Sequence, residues 1–354
     1  MGTAVQTEAT QAALTAMKGF TSPLWPIRYK PLPDELLSSW LVRLAHGHGL
    51  KVQTFCNLIF GNRLQVWNRD VDRLAPQWLV DELSLRTGTP IATAYGTTLR
   101  VYEGLLYQRF SASGALSWIQ TLKMYHRKRE GFGLQYCCAC LADGPQPYFR
   151  KAWRLAFNTI CVKHQCMRHD RCPQCGASVA FHRMDMGRGG LFEFESLAAC
   201  HVCQFNLCDA LCEPVVSYDA QATAWLEQLC SPLMDTDESK VAAIGLDVLR
   251  VMHHLAGLLT SRYQTVTLRE HLCAQLGIED IPMTHGRVSI EARPLAERHH
   301  LVQLVAWLMV DLEPRLFRAW RSKAVRYNHL LKDFDEEPQF YAQIVAGFSD
   351  WRRG

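Results

Sequence analysis

Four pairs of metal-binding side chains recur at one spacing in the middle of the chain: Cys137 with Cys140, Cys161 with His164, Cys172 with Cys175, and Cys200 with Cys203. Two residues between donors let a tight turn aim both side chains at one ion, and two such pairs complete a closed tetrahedral set. The eight donors therefore provide for two ions. Cys172-Pro173-Gln174-Cys175-Gly176 is the sharpest unit, because Pro sets φ for the turn and Gly permits the positive φ that turns backbone amides toward the sulfurs. Sites with four protein donors leave no open position for water or substrate, so the expected cofactor is two structural Zn²⁺ ions. Spacing leaves the pairing open. The first step can join the second and the third the fourth, or the steps can be cross-braced, since only seven residues separate His164 from Cys172. Cys138 competes with Cys137, and Cys166, His169, His201, Cys208 and Cys212 lie near enough to be rivals or neighbours; they are read as structural. Free cysteines acting as small buried hydrophobes are the alternative, but four equal steps in one short region favour metal.

The elements that must position these donors are mostly helical. At 354 residues, 48 % hydrophobic and 20 % charged, the chain is long enough for two or three packed units with cores. The first thirty residues lack a basic stretch followed by an apolar run, so the fourteen cysteines are expected to be cytosolic thiols and not a secreted disulfide framework. Leu301–Val310 is too short to cross a bilayer, and a cytoplasmic protein without membrane contact is expected. A net charge of +4 permits nucleic acid without demanding it.

Residues 1–23 read as a flexible leader and 24–120 as an N-terminal helical unit. Asp34 is placed to cap a helix through Leu37, Trp40, Leu41 and Leu44 that ends at Gly47 and Gly49, with Trp40 in a core. A short helix follows over Val52–Phe60. Ala75-Pro76 opens another that runs to Gly88, and Thr89-Pro90 supplies a cap and first-turn proline for a helix over Ile91–Leu99. This outline is that of a helix-turn-helix or of an ordinary helical hairpin, and its second helix carries no base-reading Arg cluster. Residues 121–213 form the tandem metal module, with short strands expected around Phe157–Ile160, Ser178–Arg183 and Leu191–Phe194. Residues 214–354 form a C-terminal helical unit: apolar residues recur at helical spacing over Val241–Leu259 and Ala292–Val310, Thr267 and Glu270 make a capping box for a helix ended by Gly277, and Pro314 begins another. The fold class is mainly α with small zinc-ribbon or zinc-finger modules.

The run Pro33-Asp34-Glu35-Leu36-Leu37-Ser38-Ser39-Trp40-Leu41-Val42-Arg43-Leu44-Ala45, followed by Cys137 and Cys140, Trp153-Arg154-Leu155, Cys161-Val162-Lys163-His164 and Cys172-Pro173-Gln174-Cys175-Gly176, resembles the TniQ family, which includes TnsD-like proteins. The resemblance implies that Cys137, Cys140, Cys161 and His164 make one zinc site and Cys172, Cys175, Cys200 and Cys203 the other. Cys138 departs from the family pattern by standing where proline is usual. By the same resemblance the protein is a target-selection adaptor of a Tn7-like transposon. Its implied partners are an AAA+ transposition ATPase of the TnsC or TniB type, the transposase indirectly, and either target DNA or a CRISPR Cascade-type ribonucleoprotein; a homodimer is also open.

No Walker-type loop is present and the acids show no spacing that assigns a two-metal site, so a non-enzyme is expected. A zinc-containing transcription regulator and a metal-dependent nuclease are the rivals. Two basic groups are candidates for phosphate contact. Arg127, Lys128 and Arg129 precede the first metal pair, and Arg315, Arg318, Arg321, Lys323 and Arg326 interleave with Phe317, Trp320 and Tyr327.

Overall fold

A computed structural model describes residues 22–61, 66–125, 128–129, 131–186, 196–234, 242–261, 267–286, 288–332 and 334–348. The expected strand at Leu191–Phe194, nearly all of the expected leader, and Arg127 lie outside those residues. Among them the fold is mainly helical, with two two-stranded antiparallel pieces as its sheet. No helix among the described residues is long and apolar enough to cross a membrane.

The N-terminal part is built around α1 (Leu37–Gly47), whose residues Leu37 through Ala45 are all buried. A helix can be buried on every side only if its polar groups find partners inside. Here they do: Ser38 donates from backbone and Oγ to Asp72, each at 2.7 Å, and Ser39 Oγ donates to Glu35 at 2.9 Å. Arg43 reaches both carboxylate oxygens of Glu35 and the carbonyl of Lys30. Asp34 does not cap this helix. Its φ is +57° and its carboxylate accepts from the Ala152 amide, while Leu36 and Leu37 donate their N–H groups to the Phe149 and Thr97 carbonyls. Distant backbone satisfies the helix start, so no local cap is required.

α2 (Val52–Phe60) ends at Gly61, α3 (Val71–Leu74) follows, and α4 (Gln77–Thr87) ends at the left-handed Gly88. α5 covers only Ile91–Tyr95 and has Pro90, not Thr89, at its cap position. It stops short of Leu99 because Thr97 Oγ1 bonds back to Ala94 and Thr98 Oγ1 accepts from Arg100, which opens a separate 3-10 turn over Leu99–Tyr102. Hydroxyls of this kind offer the backbone an alternative to helix. The second helix of the outlined helix-turn-helix is thus five residues long.

In the centre, β1 (Met124–Tyr125) pairs with β2 (Lys128–Arg129), α6 spans Cys138–Ala142, and β3 (Ile160–Cys161) pairs with β4 (Cys166–Met167) in the register Cys161 opposite Cys166. The strand expected at Phe157–Ile160 begins only at its last residue. Ser178 makes a single bridge to Arg171, and Phe181–Arg183 is a 3-10 turn where a strand was expected.

The remainder comprises α7 (Ala220–Cys230), α8 (Leu246–Leu259), α9 (Leu268–Leu276), α10 (Leu295–Val310), α11 (Leu312–Arg321), α12 (Tyr327–Leu330) and α13 (Gln339–Ala346). Thr267 and Glu270 form the capping box of α9, and the left-handed Gly277 ends it. α10 starts after Pro294 and not at Ala292, and Pro314 lies inside the first turn of α11. α10 touches α7, α8, α9 and α11, and its residues from Glu297 to Leu308 are all buried. Buried apolar residues from Trp25 to Phe348 belong to one contiguous cluster.

Candidate metal centres and a basic helix face

Cys137 and Cys140 are held by the start of α6. Cys137 occupies the cap position and the Cys140 amide points at its sulfur at 3.4 Å. Cys161 ends β3, and His164 lies in the turn to β4, where Gln165 takes φ +50°. The turn brings His164 Nδ1 to 3.5 Å from Cys137 Sγ, 3.2 Å from Cys140 Sγ and 3.6 Å from Cys161 Sγ, while Cys140 and Cys161 sulfurs are 3.6 Å apart. A tetrahedron around zinc has edges of about 3.8 Å between thiolates and about 3.5 Å between thiolate and imidazole nitrogen. The donors stand at those edges. The outer nitrogen of His164 is 3.9 Å from Asp143, a carboxylate that also pairs with Lys163, so the ring has an acidic neighbour behind it.

Cys172, Cys175, Cys200 and Cys203 form the second group, with 3.6 Å between Cys172 and Cys203 sulfurs and 3.6 Å between those of Cys175 and Cys200. Two turns of the same form build it. In each, the first cysteine donates its N–H to the carbonyl five residues on, Ala177 or Phe205, and the residue four on donates back to the first cysteine. That fourth residue is left-handed in both: Gly176 at φ +72° and Gln204 at φ +67°. Gln165 occupies the equivalent place after Cys161. Gln165 and Gln204 each donate a side-chain amide to a carbonyl in their own turn, Val162 and Cys200, which offsets part of the strain of a left-handed side-chain-bearing residue. The first group is buried but for a half-buried His164; in the second, Cys175 is exposed.

The thiols of the two groups differ in acidity. Hydrogen bonds from Cys137 and Cys140 hold Cys161 far below the usual thiol range, whereas hydrogen bonding with Cys137 and Cys161 pushes Cys140 up. Burial pushes Cys172 up to about 12, and the Phe205 amide holds Cys203 down. Both groups can hold a metal ion.

The rival donors stand elsewhere. Cys138 Sγ lies 3.0 Å from Cys212 Sγ, and Cys166, opposite Cys161 in the hairpin, approaches Cys137 at 3.7 Å without joining the four converging atoms. His169 stacks on Tyr136 and meets the Leu211 carbonyl.

Arg154 ties this region to the N-terminal helices. Fully buried, it bonds Asp70 at 2.5 Å, approaches Asp72 at 3.5 Å and donates to the Gln120 carbonyl at 2.9 Å. Because Asp72 also holds Ser38, one chain of polar contacts runs from α1 to the turn between the two donor pairs of the first metal cluster. Spacing could not have assigned Asp70 or Asp72 to that role, since they lie more than eighty residues from Arg154.

The basic candidates divide. Arg318 and Arg321 lie on the exposed side of α11, opposite the buried Leu312, Leu316, Ala319 and Trp320, and Lys323 and Arg326 are exposed in the turn that follows. Arg315 is half-buried over the Trp307 ring and bonds the Trp307 carbonyl at the end of α10. Phe317 and Trp320 pack against Phe348, so these aromatics serve the core. Lys128 and Arg129 form β2, and their side chains lie outside the described structure.

Compared with known families, residues 26–167 match the TniQ family. That stretch runs from just before α1 through β4 and includes all four donors of the first cluster. No curated protein matches the chain.

Proposed function

We propose, from the match of residues 26–167 to the TniQ family, that this chain is a member of that family and a non-catalytic target-selection adaptor of a bacterial Tn7-like transposon. In this reading it works in the cytoplasm, recognises a target, and recruits an AAA+ ATPase of the TnsC or TniB type that in turn brings in the transposase. The target is a CRISPR effector ribonucleoprotein seated on DNA, or a DNA attachment site. The observation that carries the reading is the family match, which takes in the buried α1 and the first metal cluster together. Both clusters hold structural Zn²⁺ in this account: thiolate and imidazole donors at tetrahedral edge lengths suit that ion and leave it no open position. Their work is to keep the surfaces of the adaptor rigid. The N-terminal helices, from about Leu24 to Phe110, contribute to the contact with the ATPase, and Arg318 and Arg321 face the phosphates of the target complex.

Reconstitution of insertion tests this. Transposase, ATPase and a target complex, with and without the protein, are expected to give site-directed insertion only when it is present. Arg318→Glu with Arg321→Glu is expected to weaken target association more at low salt than at high salt, because phosphate contacts act through counterion release. Insertion that stays equally directed when the protein is omitted refutes the adaptor role.

A further inference from the structure

Away from the two tetrahedral clusters, three potential ligands from separate parts of the C-terminal half converge. They are Cys273 in α9, Asp280 in the segment after it, and His300 in α10, with ligand atoms all within 4.8 Å of one another. Cys273 Sγ is 3.8 Å from His300 Nε2, and the same nitrogen is 3.1 Å from Asp280 Oδ1. For a zinc-sized ion the corresponding tetrahedral edges are about 3.5 Å and about 3.3 Å. Cys273 and His300 are buried and the Asp280 side chain is 24 % exposed, so two softer donors are sealed while the third borders water.

Outer contacts aim these groups. Tyr218 Oη lies 2.9 Å from His300 Nδ1, which turns Nε2 toward Cys273 and Asp280. Arg269 Nε reaches both Asp280 oxygens at 2.8 Å, the Ile281 amide donates to Oδ1 at 2.9 Å, and Arg269 is anchored on the Leu259 carbonyl. Partners of this type fix ring and carboxylate orientation around bound metals. A closed hydrogen-bond array, with His300 Nε2–H donating to Asp280, is the competing account. It explains the imidazole but gives Cys273 only a long sulfur contact to a nitrogen already committed.

We propose that Cys273, Asp280 and His300 form a third metal site, for a divalent transition ion of the zinc type, with its fourth position open to water at the Asp280 edge. On binding, Cys273 releases its thiol proton to solvent. The His300 proton passes from Nε2 to Nδ1, where the Tyr218 oxygen accepts it. Thiolate and carboxylate then match the two charges of the ion and no redox partner is required. With three protein ligands the site binds more weakly than the four-donor clusters, and it joins α9 to α10.

The test counts metal on the full chain dialysed against micromolar free zinc. Wild type is expected to hold one more ion per chain than Cys273→Ala or Asp280→Asn, whereas Cys230→Ala, at a buried cysteine outside the cluster, keeps the wild-type count. Cobalt in place of zinc is expected to add a thiolate-to-metal absorption band that Cys273→Ala loses. Circular dichroism checks that each variant is folded, and the partly exposed Asp280→Asn decides alone if Cys273→Ala is not. Equal counts in wild type and a folded variant overturn the site. Because the difference is read, the result is independent of whether the two larger clusters bind zinc.

Discussion

Glu291 shows how one buried carboxylate is made to ionise. Burial pulls its pKa up, but the His253 ring nitrogen at 2.7 Å and the Trp118 amide at 2.9 Å outweigh burial and leave it below its ordinary value of 4.5. A depressed folded value means stability that is complete above the ordinary pKa and lost as pH falls through the folded one. Glu291→Gln is therefore expected to cost about 1–3 kcal/mol at neutral pH and to flatten the acid-side decline of stability. Denaturant titrations across that range check it; parallel declines in wild type and variant would exclude Glu291 as a contributor. The donors of both clusters were legible at this scale because ligand chemistry restricts residue type and turn geometry restricts spacing. Asp34 was misread for the opposite reason. A capping role depends on which amides remain without partners, and the Phe149 and Thr97 carbonyls had already taken those of Leu36 and Leu37.

At the scale of elements, the metal turns share one conformation with different occupants in the left-handed place. Gly176 meets nothing within 4 Å where a Cβ would stand, so Gly176→Ala carries backbone strain alone. That is expected to cost about 1 kcal/mol, read as a lowered midpoint in thermal unfolding of the zinc-loaded protein. Gln204→Gly is expected to lie within about 0.5 kcal/mol of neutral, since relief of strain is offset by loss of the amide bond to Cys200. An unchanged midpoint for Gly176→Ala would remove strain as the reason for glycine there. Helices with strong end signals were readable: Gly61, Gly88 and Gly277 stop α2, α4 and α9 through positive φ. α5 was overextended because threonine hydroxyls, silent in a periodicity pattern, competed for its backbone.

Across the whole molecule, α10 leans on the centre that carries the two candidate metal clusters. Asp170, between the two clusters in sequence, accepts from the Leu295 amide at the first turn of α10. Arg298, its guanidinium pulled down to about 10 by burial, donates to Gln135 and to the Ala156 carbonyl, and His299 bridges Thr159 and the Val216 carbonyl. Structural zinc contributes on the order of 10 kcal/mol to small modules. Chelation is therefore expected to abolish hydrogen-exchange protection in α10 together with that in α6. Protection that survives in α10 after the centre has lost its own would show that the C-terminal helices fold independently of the metal.

The sequence by itself determined the two groups of residues that could hold metal, the mainly helical class and the resemblance to the TniQ family, because each is written in short runs whose residue types obey local rules. Tertiary structure alone decided what those runs are for in space. It buried Arg154 between Asp70 and Asp72, set α1 on the Phe149 backbone, turned the aromatics of α11 inward while leaving Arg318 and Arg321 outside, and brought Cys273, Asp280 and His300 to one point. Such contacts join residues far apart along the chain, and which of them form depends on how helices pack, a property of volumes and buried polar partners that no local pattern carries.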